Sequence, residues 1–92
     1  AGVTLDSSSC KVSANQKSVE LTKNELRILS LLMQNAGTVV SRQRIQEELW
    51  QSDEFVDDNT LTVNISHLRN TLASIGVEDF VMTRRGLGYV IE

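Results

Sequence analysis

The sequence predicts an α+β fold: a small antiparallel sheet, then three helices, then a terminal hairpin. Three observations predict it. Residues 3–20 are rich in Val, Ser and Thr and lack a helical period. Residues 21–76 carry apolar stripes at helical spacing, opened by capping residues. The last segment holds two short apolar runs separated by Arg84-Arg85-Gly86-Leu87-Gly88.

Val-Thr-Leu-Asp, Lys-Val-Ser-Ala and Ser-Val-Glu-Leu read as strands joined by polar turns at residues 7–9 and at Asn15-Gln16. The period then changes. Thr22 predicts an N-cap, Glu25 three residues on completes a capping box, and Leu21 and Leu26 form a hydrophobic staple. Leu26, Leu29, Leu32, Met33 and Ala36 predict one apolar face, widened by Ile28 and Leu31, and Gly37 is the expected stop. After an extended link, Ser41 caps a second helix, with Val40 and Ile45 as its staple and Ile45, Leu49 and Trp50 as its stripe. Residues 51–58 hold no period and read as an acidic loop, in which Phe55 and Val56 read as core anchors. A third helix begins near Asp57 or Asp58, where an acid suits the positive end of the helix dipole. Leu61, Ile65, Leu68 and Leu72 form its stripe and Gly76 ends it. Phe80-Val81-Met82-Thr83 and Tyr89-Val90-Ile91 are the expected hairpin strands, with glycines supplying the turn. Sheet, three helices and a hairpin are the layout of a winged helix-turn-helix.

At 92 residues with 40% apolar and 23% charged side chains, the chain is one ordinary globular domain with a single core. An apolar run such as Leu31-Leu32-Met33 is far too short to span a membrane, and no signal-peptide pattern opens the chain. The single cysteine, Cys10, fits a reducing compartment, so a cytoplasmic location is expected. One His and one Cys cannot build a Cys/His zinc site, and no nucleotide-binding or nucleophile-elbow motif occurs. No metal, cofactor or enzyme activity is therefore expected.

The net charge of −3 argues against a nucleic-acid partner only until its distribution is read. Residues 47–58 hold six acids and no base, so the other 80 residues carry nine bases against six acids. Helix 3 away from its stripe presents Asn59, Thr60, Thr62, Asn64, Ser66, His67, Arg69 and Asn70, with no acid between Asn59 and Glu78. Such a surface can enter a DNA major groove: Arg reads guanine, Asn reads adenine, and hydroxyls serve bases or phosphates. A merely solvated polar face would carry the same pattern. Arg84 and Arg85 at the hairpin tip can reach a phosphate or a narrow minor groove, or simply solubilise a turn. The free amides at Ser41-Arg42 suit a phosphate or a self-contained cap. Trp50 and Tyr89 read as core rings that can offer a polar tip.

Leu21-Thr22-x-x-Glu25, Val40-Ser41-Arg42, the spacing of Val63 to Leu68-Arg69, and Arg85-Gly86-x-Gly88-Tyr89 together resemble the OmpR/PhoB family of response-regulator effector domains. The resemblance covers residues 3–92, and residues 55–69 are especially similar to the Gram-positive subgroup that answers bacitracin, nisin and other envelope-active peptides. It implies a four-stranded N-terminal sheet, of which three strands are legible here, so that the first would be trimmed. It implies one effector domain with the sheet in residues 1–20, the helical core in residues 21–76 and the wing in residues 77–92, and without the receiver domain. Thr62, Ser66, His67, Arg69 and Asn70 match the base- and phosphate-facing positions of the recognition helix. Arg85, with Arg84 beside it, matches the wing position that enters the minor groove, and Trp50, Thr60 and Tyr89 match phosphate contacts. The loop at residues 51–58 would meet RNA polymerase, through Asp53, Glu54 and Phe55. The implied partners are double-stranded promoter DNA at tandem half-sites, RNA polymerase, and a receiver domain and histidine kinase in the full-length protein. The isolated domain is expected to be mainly monomeric. Ser66, His67 and Asn70 stand where many family members carry arginine or lysine, so modest electrostatic affinity is expected. The competing reading is a winged helix used for protein contacts, favoured by the acidic loop and the net charge.

Overall fold

The computed structural model describes residues 2–50 and 57–91. The elements run β1 (Thr4–Asp6), β2 (Lys11–Ala14), β3 (Lys17–Glu20), α1 (Lys23–Gln34), α2 (Arg42–Trp50), α3 (Asp58–Ala73), β4 (Met82–Arg84) and β5 (Gly88–Val90). The three N-terminal strands form an antiparallel sheet in the order β1-β2-β3. Asn15 and Gln16, both at positive φ, make the two-residue hairpin between β2 and β3. β4 and β5 form the wing.

The capping box of α1 is complete. The Glu25 amide donates to Thr22 Oγ1 at 3.2 Å, and the Thr22 amide donates to Glu25 Oε1 at 3.0 Å. Glu25 is itself buried, and the Thr71 hydroxyl donates to its other oxygen at 3.1 Å, which ties α1 to α3. The Ser41 cap also forms, with the Arg44 amide donating to Ser41 Oγ at 3.1 Å. Leu61, Ile65, Leu68 and Leu72 are all buried, as their spacing predicts. They meet Ile28, Leu29 and Leu32 of α1 and Ile45 and Leu49 of α2, with Val12, Ala14 and Leu21 closing the core from the sheet side. The third helix ends at Ala73 with Ser74 as its C-cap, slightly before the expected stop, and Gly76 closes the turn that follows: its amide donates to the Ala73 carbonyl at 3.0 Å, the Val77 amide donates to Leu72 at 2.9 Å, and its φ is +81°.

Several expectations need correction. The first helix stops at Gln34 with Asn35 as its C-cap, so Ala36 lies outside it and is exposed. Gly37 instead turns the chain toward the wing, its amide donating to the Ile91 carbonyl at 2.6 Å. Leu26 and Met33 only border the core. Trp50 is 43% exposed and is not a core ring, because it ends α2 beyond the buried Ile45 and Leu49. The hairpin strands begin later than predicted, at Met82, and Arg84 belongs to the strand rather than the tip. Asp58 already lies in α3, with Asp57 as its cap, and residues 51–56 of the expected acidic loop lie outside the described residues. The expectations for Asp53, Glu54, Phe55 and Val56 lie outside the described residues.

Candidate nucleic-acid interface

The third helix is built to show one polar side. Asp57 caps it by accepting the Thr60 amide at 2.7 Å, and that bond holds the exposed carboxyl of Asp57 below its ordinary pKa. With the apolar stripe buried, Asn59, Thr60, Thr62, Ser66, His67 and Asn70 are left exposed. Val63, 51% exposed, stands among them as an apolar contact surface that the sequence reading left out. Asn64 bonds back to its own helix, at the Thr60 carbonyl.

The wing is seated on the link before α2. The Val40 amide donates to the Tyr89 carbonyl at 2.8 Å and the Tyr89 amide to Val40 at 2.9 Å. This brings the tip, Arg85-Gly86-Leu87, out beyond the body, with Arg85 and Leu87 exposed and Gly86 at positive φ.

Tyr89, 5% exposed, lies where α2, α3 and the wing meet. Arg42 and Arg69 each place a guanidinium against its ring, at 5.6 and 5.8 Å from the centroid. Arg42 donates through Nε to Asp58 Oδ1 at 2.8 Å, through Nη1 to the Tyr89 hydroxyl, and through Nη2 to the Asp58 carbonyl at 2.9 Å and Thr62 Oγ1 at 2.8 Å. The hydrogen bond to Asp58 raises the Arg42 pKa and outweighs partial desolvation. Arg69 donates through Nε to the Val81 carbonyl at 3.0 Å and through Nη2 to Thr83 Oγ1 at 2.6 Å, bridging α3 to the wing. A groove of about 520 Å³ opens between them, lined by Arg69, Asn70, Glu78, Asp79 and Thr83.

The structure thus gathers Ser41, Arg42, Thr62, Arg69 and Tyr89 at one junction. Thr60, Ser66, His67 and Asn70 are exposed along α3, Arg85 is exposed at the wing tip, and Arg84 is half-buried at the end of β4. Trp50 stands at the far end of α2. Sequence reasoning missed Asp58 and Thr83 as partners of Arg42 and Arg69; each lies on a different element, 16 and 14 residues away, and no local pattern announces it. Among the described residues no group of His, Cys, Asp and Glu could hold a metal ion, and no helix is long and apolar enough to cross a membrane. The arrangement offers hydroxyls, amides and guanidinium groups near one another, which suits hydrogen bonding to an anionic polymer.

Residues 15–91 match the family described as transcriptional regulatory protein, C terminal. The chain is 40% identical over 89 residues to the sensory transduction protein BceR of Bacillus subtilis, which covers 97% of this chain and 38% of BceR. It therefore spans well under half the length of that relative. The solved C-terminal domain of the nisin resistance regulator NsrR, a lantibiotic response regulator, superposes with a TM-score of 0.85 at 40% identity, covering 98% of this chain and 91% of that one. The DNA-binding domain of CpxR from E. coli superposes with a TM-score of 0.76 at 28% identity, covering 98% and 89%.

Proposed function

The chain belongs to the family of transcriptional regulatory protein C-terminal domains, with BceR and NsrR among its relatives, and from that premise we propose that it is the DNA-binding output domain of a two-component response regulator. It is one effector domain of a longer cytoplasmic protein whose receiver is phosphorylated by a histidine kinase. It binds double-stranded promoter DNA in a sequence-specific way, with α3 in the major groove and the wing tip at the adjacent minor groove. The genes it controls are those of resistance to envelope-active peptides, by likeness to the nisin resistance regulator. The observation that carries the reading is the continuous acid-free surface of α3 from Asn59 to Ala73, braced to the wing by Arg69 and flanked by Arg85. Ser41, Arg42, Thr60 and Tyr89 sit beside it for phosphates, and Thr62, Ser66, His67 and Asn70 lie along it for bases and backbone.

Selection of bound sequences from a random duplex pool tests this reading, and an enriched motif is the expected result. Arg85→Ala should then weaken binding to that motif by about 1–3 kcal/mol without changing stability. Arg69→Ala should weaken binding by a similar amount and loosen the wing as well. A pool that never enriches would sink the reading. RNA polymerase binding without any duplex preference would instead favour a protein-contact module, for which the acidic residues 47–58 speak.

A further inference from the structure

Arg42 engages Asp58, Thr62 and Tyr89 through four of its five N–H groups. Three of those bonds go to a backbone carbonyl and two hydroxyls, neutral groups fixed by α3 and the wing. The fourth, from Nε, goes to the Asp58 carboxylate, the one anion in the set. The Asp58 side chain is 73% exposed while that of Arg42 is 31% exposed, so the acid is the partner open to exchange. Asp58 is also not needed as the cap, because Asp57 accepts the Thr60 amide. It stands in the first turn of α3, where free amides and the helix dipole favour an anion.

We propose that Asp58 is a built-in stand-in for a DNA phosphate: its carboxylate holds the Nε edge of Arg42 in the free domain, and a backbone phosphate displaces it on binding. The inference rests on the DNA-binding reading above and adds a residue that tunes it. A phosphate oxygen offers Nε–H the same charge-assisted acceptor as a carboxylate oxygen. An exposed ion pair is weakly held, so the exchange is feasible. Asp58 then limits affinity twice, by neutralising Arg42 before DNA arrives and by repelling the phosphate that replaces it. It also lowers the salt dependence, because Arg42 brings its own counter-ion.

The test is Asp58→Asn, which keeps an acceptor for Nε–H and removes the charge. Binding to the selected duplex should tighten about three- to tenfold at low salt, and the slope of log K against log salt should steepen by about one. Unchanged or weaker binding with an unchanged slope overturns the proposal and leaves Asp58 as a positioning residue for Arg42. A second measurement needs no variant. The Arg42 Nε–H resonance of the unaltered domain should shift as duplex is added and the carboxylate gives way; a resonance unmoved at saturation also overturns the proposal. If the unaltered domain binds no duplex at all, the DNA-binding reading falls and the inference falls with it. If the unaltered domain binds and only the Asp58 effects are missing, the inference alone fails.

Discussion

Gly88 marks a place where two backbones run close together. Its φ is +149°, and a Cβ there would sit 2.0 Å from the Val40 carbonyl oxygen and 2.8 Å from Ser41 Cα. Backbone atoms paired on both sides cannot yield as a flexible side chain would. Gly88→Ala should therefore cost about 2–4 kcal/mol in urea unfolding, and a smaller loss would mean that the link to α2 gives way. Arg69 depends on its shape as well as its charge. Its planar fork serves the Val81 carbonyl and Thr83 hydroxyl together while lying against Tyr89. Lysine keeps the charge but cannot reproduce that fork. Arg69→Lys should thus weaken duplex binding by about 1 kcal/mol or more, as a shift in the midpoint of a fluorescence titration, despite an unchanged net charge.

The elements owe their positions to their ends. Thr22→Ala removes one half of the α1 capping box and should lower stability by about 1 kcal/mol. Glu25→Ala should cost more, about 2–3 kcal/mol, because the Thr22 amide and the Thr71 hydroxyl both lose their acceptor in a partly buried setting. The α3 cap carries a pH signature. The Asp57 carboxyl is held below its ordinary value of 3.8 by the Thr60 amide and hydroxyl, so its contribution is complete above that value and is lost as pH falls through the lower folded-state value. The stability gap between the unaltered domain and Asp57→Ala should be constant near neutral pH and close below 3.8. Urea unfolding across the acid range measures it. These ends were legible in the sequence because capping is local: Thr22 with Glu25, Ser41 with Arg44, and Gly76 after Ala73 all act within four residues. The burial of Leu61, Ile65, Leu68 and Leu72 was legible for the same reason, since the helical period alone aligns them. Seating of the wing on Val40, the reach of Arg69 to Thr83 and the pairing of Arg42 with Asp58 were not. They join residues far apart in the chain, and only the packed core brings them together.

Across the whole molecule, charge is sorted by element. The five basic residues of α2, α3 and the wing are all arginines: Arg42, Arg44, Arg69, Arg84 and Arg85. The lysines and Arg27 belong to the sheet and α1. Arg44 leans on Glu48 at 3.4 Å and Arg42 on Asp58, so part of that charge is compensated before any ligand arrives. A domain so equipped is expected to contact few phosphates. If it neutralises about four to six, log K should fall against log salt with a slope of about −4 to −5. The body measures 34 × 27 × 20 Å, and half-sites one helical turn apart lie about 34–36 Å from centre to centre. Two copies can therefore occupy tandem half-sites side by side, and a duplex carrying both should give about twice the single-site slope. Titrations of the isolated domain with one-site and two-site duplexes measure this directly. A slope near −1 on either duplex would mean that the arginines of α3 and the wing do not meet phosphates, whatever sequence the domain prefers.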